Sequence, residues 1–316
     1  MMKKKLVILT GPTAVGKTDL SIRLAKEING EIISADSIQV YQGMDIGSAK
    51  ITEEEMDGVR HYLIDELKPD EPFHVQMFQQ KTKEYMEEIY QRGKVPMIVG
   101  GTGFYIQSVL YDIAFQEVEE EHSIRKKLEE SAALDGGKRN YEELQKIDPK
   151  AAEAIHPNNR KRVIRALEYY YETGEKISEH NETQRENESP YNFCYFVLNT
   201  DRAVLYDRIN QRVDLMVEQG LEQEVRKLMN KGYDENLPSM QGIGYKEMIA
   251  YLNGRCSKEE AIDQIKQNTR HFAKRQLTWF RREKEVTMVD YTKFENDKEK
   301  VLQYLLQCLK ERGIIS

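Results

Sequence analysis

Eight residues, Gly11-Pro12-Thr13-Ala14-Val15-Gly16-Lys17-Thr18, spell G-x-x-x-x-G-K-[ST], a spacing suited to holding phosphate. The glycines let the backbone wrap close to anionic oxygens, so that successive N–H groups and the N-terminus of a following helix can point at the charge. Lys17 adds a point charge, and Thr18 a hydroxyl able to hold Mg²⁺. A glycine-rich turn with a chance lysine would carry the same letters. What separates the two is context, because a phosphate loop must lie between a strand and a helix.

A phosphate cradle does not name a reaction, since ATP, GTP and other diphosphates all satisfy it. No N-K-x-D string occurs, which removes the usual guanine-reading element, and the apolar run Val95 to Val99 lacks the acidic end of a metal-dependent ATPase. An acid stands elsewhere, at Asp36 in Ser34-Ala35-Asp36-Ser37-Ile38-Gln39-Val40-Tyr41. Behind a strand, Asp36 would face the ligand crevice and could accept a proton from an attacking nucleophile. It suits a helix N-cap or a turn equally well. Gly100-Gly101-Thr102-Gly103-Phe104-Tyr105 either brings backbone close to a ligand or is a plain strand-to-helix turn. Arg208 and Arg212, one helical turn apart, share a face that could clamp diphosphate oxygens or could simply meet solvent.

The formal charge is −7, from 47 basic and 54 acidic residues, which excludes a globally basic nucleic-acid coat but leaves room for a local basic groove. Two clusters stand out. Arg160, Lys161, Arg162 and Arg165 crowd one stretch, while Arg270, Lys274, Arg275, Arg281 and Arg282 interleave with His271, Phe272, Trp279 and Phe280. Such mixtures suit phosphate contacts with stacking on unpaired bases. Solvated faces over core aromatics are the competing reading.

The elements that must position these residues follow from hydrophobic pattern. Leu6 to Thr10 is a continuous apolar run, and Asp19 to Ile28 places Leu20, Leu24, Ala25 and Ile28 at helical spacing, so the loop does lie between strand and helix. Ile32 to Ala35 ends at Asp36, and the helical stretch Phe78 to Arg92 precedes the run Val95 to Val99. This alternation predicts an α/β fold, a P-loop NTPase-like parallel sheet flanked by helices, with ligands gathered around Gly11, Asp36 and Gly100. Residues 117–190 are strongly charged, with helical patterning in Ile124 to Ala133, Tyr141 to Ile147 and Val163 to Tyr171 and no strand-like run. They predict an all-helical insertion dividing a catalytic core made of residues 1–116 and 191–316. Tyr195 to Leu198 reads as a strand returning to the sheet, and Leu205, Ile209, Val213, Met216 and Val217 mark a long amphipathic helix. Helices are expected to dominate from there to the C-terminus.

A chain of 316 residues that is 39% hydrophobic and 32% charged is neither collagen-like nor of low complexity. Cys194, Cys256 and Cys308 stand far apart with no C-x-x-C pair, which argues against a disulfide framework or a cysteine zinc site. The apolar run Leu6 to Leu9 behind the basic start is too short for export, and no run approaches a membrane span, so a cytoplasmic location and no membrane partner are expected.

Taken in order along the chain, the phosphate-loop string, Asp36 to Tyr41 with Gly43-Met44-Asp45-Ile46-Gly47-Ser48-Ala49-Lys50, and Gly100 to Tyr105 resemble the tRNA isopentenyltransferase, or tRNA dimethylallyltransferase, family. So do Asn159-Arg160-Lys161-Arg162-Val163-Ile164-Arg165-Ala166-Leu167-Glu168, Gln241-Gly242-Ile243-Gly244-Tyr245-Lys246-Glu247 and Lys274-Arg275-Gln276-Leu277-Thr278-Trp279-Phe280. Phe104 stands where many members carry Leu.

The resemblance implies transfer of a dimethylallyl group from dimethylallyl diphosphate to N6 of adenosine 37, next to the anticodon, in tRNAs reading codons that begin with U. The loop would then hold prenyl diphosphate rather than ATP, through Gly11, Thr13, Ala14, Val15, Gly16, Lys17 and Thr18 with Arg208 and Arg212. Mg²⁺ on Thr18 is the implied cofactor. Lys17, Thr18 and Arg212 would stabilise the leaving diphosphate, and Asp36 matches the family's general base. Asp36, Ser37, Ile38, Gln39 and Thr102 would hold the flipped adenine, Gln39 foremost. Arg160, Lys161, Arg162, Arg165, Gly242, Lys246, Lys274, Arg275, Gln276 and Trp279 would grip the anticodon stem-loop, and a monomer is the family's usual state. Two other readings compete: a P-loop kinase for a small acceptor, which leaves the basic clusters unexplained, and a noncatalytic RNA-binding protein in which Asp36 is dispensable.

Overall fold

A computed structural model describes residues 3–115 and 123–316. In chain order the elements are β1 (Lys4–Thr10), α1 (Lys17–Glu27), β2 (Gly30–Ala35), α2 (Glu53–Met56), β3 (His61–Tyr62), α3 (Val75–Gln91), β4 (Val95–Gly100) and α4 (Gly103–Leu110). Then come α5 (Ser123–Asp135), α6 (Lys138–Ile147), α7 (Pro149–Ala154), α8 (Arg160–Thr173) and α9 (Ile177–Glu186). The chain ends with β5 (Tyr191–Asn199), α10 (Arg202–Glu218), α11 (Leu221–Asn230), α12 (Tyr245–Leu252), α13 (Lys258–Phe280), β6 (Val286–Asp290) and α14 (Lys298–Glu311).

The six strands form one sheet in the order β3-β2-β4-β1-β5-β6, and every pairing is parallel. Parallel strands covered by helices on both faces need apolar residues at successive positions, and Leu6, Val7, Ile8 and Leu9 of β1 are all fully buried. One face is packed by Leu20 and Leu24 of α1, Leu205 and Ile209 of α10, and Val301, Leu305 and Leu309 of α14, in one cluster with Val7 and Leu9. Each such side chain contributes about 1.5–3 kcal/mol when fully buried.

Register then does the positioning. Thr10 pairs with Gly100, and Ala35 pairs with the same Gly100, so β1, β2 and β4 end in line. The residues that follow, Gly11, Asp36 and Gly101, therefore leave the sheet at one carboxyl edge, where ligands of such sheets collect.

The chain divides into two compact units, residues 1–110 with 190–316, and residues 111–189. The seam expected from sequence at 116/117 lies outside the described residues. Among its described residues the smaller unit carries the helices α5 to α9 and no strand, and it is built on Leu128, Leu144, Val163 and Leu167. Within it Glu168, 3% exposed, accepts from Arg125 at 2.8 and 2.9 Å and from Arg165 at 3.0 Å, and these partners hold its carboxyl below the usual range against burial. A buried carboxylate held this way is a costly group to leave unpaired, so the three side chains act as one unit.

Two features depart from the sequence expectations. The C-terminal third contains a strand, β6, besides its helices; it is short, lies at the sheet edge and exposes Met288, so its apolar pattern is weak. On α10 the buried stripe is Leu205, Ile209 and Val213, while Met216 and Val217 are only partly covered.

Candidate active site

The loop from Gly11 to Gly16 joins β1 to α1 and turns through the left-handed region at Ala14 (φ 63°) and Gly16 (φ 100°). Gly16 caps α1 without a side-chain bond, so the amides at the helix start are left for a ligand. Lys17 reaches back across this loop, its Nζ donating to the carbonyls of Gly11 and Pro12, both at 2.9 Å. Burial, and then the nearby Arg212 guanidinium, lower its pKa to about 7, with Asp36 acting in the opposite sense. Arg212 is likewise held below its ordinary value by burial, against the favourable field of Asp36 and then Glu55. Lys17, Arg212 and Asp36 thus form one electrostatic group at the carboxyl edge. Two cations face one carboxylate, which leaves positive potential for an anion.

Arg208, one turn before Arg212, is exposed and lines a cavity with Ala14, Val15, Gly16, Tyr291, Asn296 and Lys298. The two arginines therefore border the phosphate loop in different surroundings, with Arg212 beside Lys17 and Asp36. Thr18 is exposed at the start of α1, and its hydroxyl makes no hydrogen bond among the described residues.

Asp36 fulfils part of its turn reading as well. Its Oδ1 accepts the N–H groups of Ile38 at 2.8 Å and Gln39 at 3.3 Å, which fixes the carboxylate and leaves Oδ2 without a hydrogen-bond partner among the described residues. Gln39 is held from both ends: its Oε1 accepts from Ser34 Oγ at 3.1 Å, and its Nε2 donates to the carbonyls of Ser48 and Ala49 at 3.3 Å. Ser37 and Ile38 are half-buried, and Gly242 packs on Ile38. Thr102 donates its N–H to the Ala35 carbonyl at 3.1 Å, tying the glycine-rich turn to the strand that carries Asp36.

One residue that sequence reasoning missed organises this region. Glu224 of α11 accepts three backbone N–H groups, from Asp45 at 3.0 Å, Ile46 at 2.7 Å and Gly47 at 3.0 Å, and so fixes the segment whose next carbonyls hold Gln39. Nothing in its sequence neighbourhood, an ordinary acidic helix start, distinguishes it from Glu222.

A family profile described as IPP transferase matches residues 39–283. The chain belongs to the IPP transferase family. It is 59% identical to the tRNA dimethylallyltransferase of Lachnoclostridium phytofermentans over 98% of this chain and 99% of that protein. It is 49% identical to that of Acetivibrio thermocellus, over 98% of each. The crystal structure of the full-length tRNA isopentenylpyrophosphate transferase from Bacillus halodurans superposes with a TM-score of 0.74 at 48% identity, covering 98% of both chains. A eukaryotic dimethylallyltransferase acting on tRNA gives 0.75 at 31% identity, over 91% of this chain and 74% of that one.

The residues expected to grip RNA in this IPP transferase family chain fall into distinct settings. Arg160, Lys161 and Arg162 are exposed in the first turn of α8, where cations oppose the helix dipole by about 0.3–1 kcal/mol each. Helix stability does not account for them there. Arg165 is already paired with Glu168. On α13, Lys274 and Arg275 are exposed, with the Arg275 guanidinium 5.7 Å from the Phe272 ring centre. Phe280, by contrast, is fully buried and serves the core. Trp279 is half-buried against Gly103 and Phe104, and Lys246 is exposed beside Glu247. Gln276 is buried, with both ends of its amide engaged by backbone. Among the described residues, no helix is long and apolar enough to cross a membrane.

Proposed function

We propose that the protein transfers a dimethylallyl group from dimethylallyl diphosphate to N6 of adenosine 37 in tRNAs that read codons beginning with U, acting as a monomer in the cytoplasm. The observation that carries this reading is the cationic pair Lys17 and Arg212 placed together with Asp36 at the carboxyl edge. The near full-length likeness to tRNA dimethylallyltransferases supplies the chemical identity of the two substrates.

The allylic C–O bond breaks as the bond from N6 to the allylic carbon forms. Negative charge then grows on the departing diphosphate, and Lys17, Arg212 and the amides at the start of α1 stabilise it where it develops. The proton lost from N6 goes to Asp36 Oδ2, while Oδ1 stays fixed by Ile38 and Gln39. An exocyclic adenine amine is a weak nucleophile because its lone pair is delocalised, so a positioned base matters. Adenine must leave its stack to reach this edge, and the segment from Asp36 to Gln39 together with Thr102 would receive it.

Mg²⁺ fits the residues present. It is commonly held by one or two protein oxygens with water and substrate phosphate, and the exposed, unbonded Thr18 hydroxyl at the helix start offers one. When bound, the ion would neutralise charge on the diphosphate.

Asp36→Asn tests the assignment, since the amide oxygen can still cap the turn while the basic oxygen is lost. Turnover should fall by several orders of magnitude with RNA affinity held within a few-fold. Normal turnover would remove Asp36 as the base.

A further inference from the structure

Gln276 sits in the stretch of α13 expected to face RNA, yet it is 6% exposed. Its Oε1 accepts the backbone N–H of Thr13 at 2.9 Å, and its Nε2 donates to the carbonyl of Gly101 at 3.0 Å. The partners dictate this orientation, because an N–H can only donate and a carbonyl can only accept. Thr13 belongs to the phosphate loop, whereas Gly101 precedes Thr102, whose N–H is bound to the Ala35 carbonyl beside Asp36. One side-chain amide therefore joins the loop that would hold the prenyl donor to the turn that would meet the adenine. The approach is close: a Cβ on Gly101 would lie 2.1 Å from Gln276 Nε2, so only glycine admits the amide at this point.

Building on the transferase reading above, we infer that Gln276 is a positioning residue that couples the two substrates, so that each binds more tightly when the other is present. The bridge is made only when Thr13 and Gly101 stand at one separation. A ligand that orders either loop therefore removes part of the ordering cost for the other, and such coupling is reciprocal. Direct contact between Gln276 and RNA is not required.

The experiment measures the affinity of an anticodon stem-loop RNA carrying adenosine 37, with and without a thiolodiphosphate analogue of the donor that resists ionisation. The wild type should bind RNA about fivefold or more tightly with the analogue present, within the usual range of site-to-site coupling. The analogue should tighten by the same factor when RNA is added. Gln276→Met, close in shape and without the amide, should bring the ratio close to one. Gly101→Ala should do the same with Gln276 intact, because its new methyl displaces the amide. A scaffold role would weaken each binary complex and leave the ratio unchanged. That result in both variants, or a wild-type ratio of one, overturns the inference. A wild type that binds neither ligand overturns the transferase reading along with it.

Discussion

The Tyr245 hydroxyl donates a 2.8 Å hydrogen bond to Glu224 Oε1, and the same carboxylate accepts the backbone N–H groups of Asp45, Ile46 and Gly47. Burial, and then the neighbouring carboxylate, push the tyrosine's pKa well above its ordinary value, so the hydroxyl stays a donor. Through this pair, the α12 segment bearing Lys246 is linked to the carbonyls that hold Gln39.

Loss of the Glu224 charge should therefore loosen the acceptor side selectively. Hydrogen bonds to a charged group contribute about 1.5–3 kcal/mol. Glu224→Gln should lower kcat/KM for tRNA by one to two orders of magnitude, while the affinity for donor alone stays within about twofold. Steady-state kinetics in each substrate, with donor binding by calorimetry, checks this; an equal loss of donor affinity would contradict it.

Donor affinity should depend on pH through Lys17. In the free protein its pKa is about 7, because burial and Arg212 disfavour the ammonium. A bound diphosphate favours the charged form and raises that pKa, so binding above pH 7 takes up a proton. Below about pH 7 the lysine is already charged and adds no dependence. As pH rises beyond that, affinity should weaken by up to about tenfold per pH unit relative to Lys17→Arg, which stays charged throughout. Parallel profiles for the two proteins would show that Lys17 does not meet the diphosphate.

Gly103 opens α4 directly beneath Trp279, and a Cβ there would sit 2.2 Å from Cδ1 and 2.3 Å from Nε1 of the indole. Gly103→Ala should cost about 1–3 kcal/mol through overpacking. It should also shift Trp279 fluorescence, a clean report because the chain has one tryptophan. Thermal unfolding and the emission spectrum together check the prediction.

RNA affinity should fall steeply with added salt, because cations on the protein displace condensed counterions. The double substitution Lys161→Ala with Arg162→Ala should flatten the slope of log affinity against log salt by about one to two. An unchanged slope would remove the first turn of α8 from the RNA grip.

Much of this architecture is legible in the amino-acid sequence. The continuous apolar runs of β1, β2 and β4 announce buried parallel strands, and the phosphate-loop letters fix where α1 begins, since glycine spacing and helix start are a local matter. The edge strand β6 is not legible, because a half-exposed strand at the margin carries little hydrophobic signal. Asp36 is readable as either base or turn residue, and it is built as a turn residue with one oxygen to spare, which residue type alone does not convey. Glu224 and the bridging of Gln276 are invisible for another reason. Both act on backbone amides far away in sequence, 177 or more residues for Glu224 and 263 for Gln276 to Thr13, and backbone groups leave no letter in the sequence to pair with. The basic clusters are visible as composition, but only burial separates Lys274 and Arg275, which are exposed, from Phe280, which fills the core.

The most direct test of the central claim is to incubate the protein with dimethylallyl diphosphate, Mg²⁺ and unmodified tRNA carrying adenosine 37, then digest the RNA and weigh its nucleosides. A dimethylallyl mass gain on that adenosine is expected, abolished by Asp36→Asn. Adenosine left unmodified by the wild type, with ATP consumed on a small acceptor instead, would contradict it and put a kinase in its place.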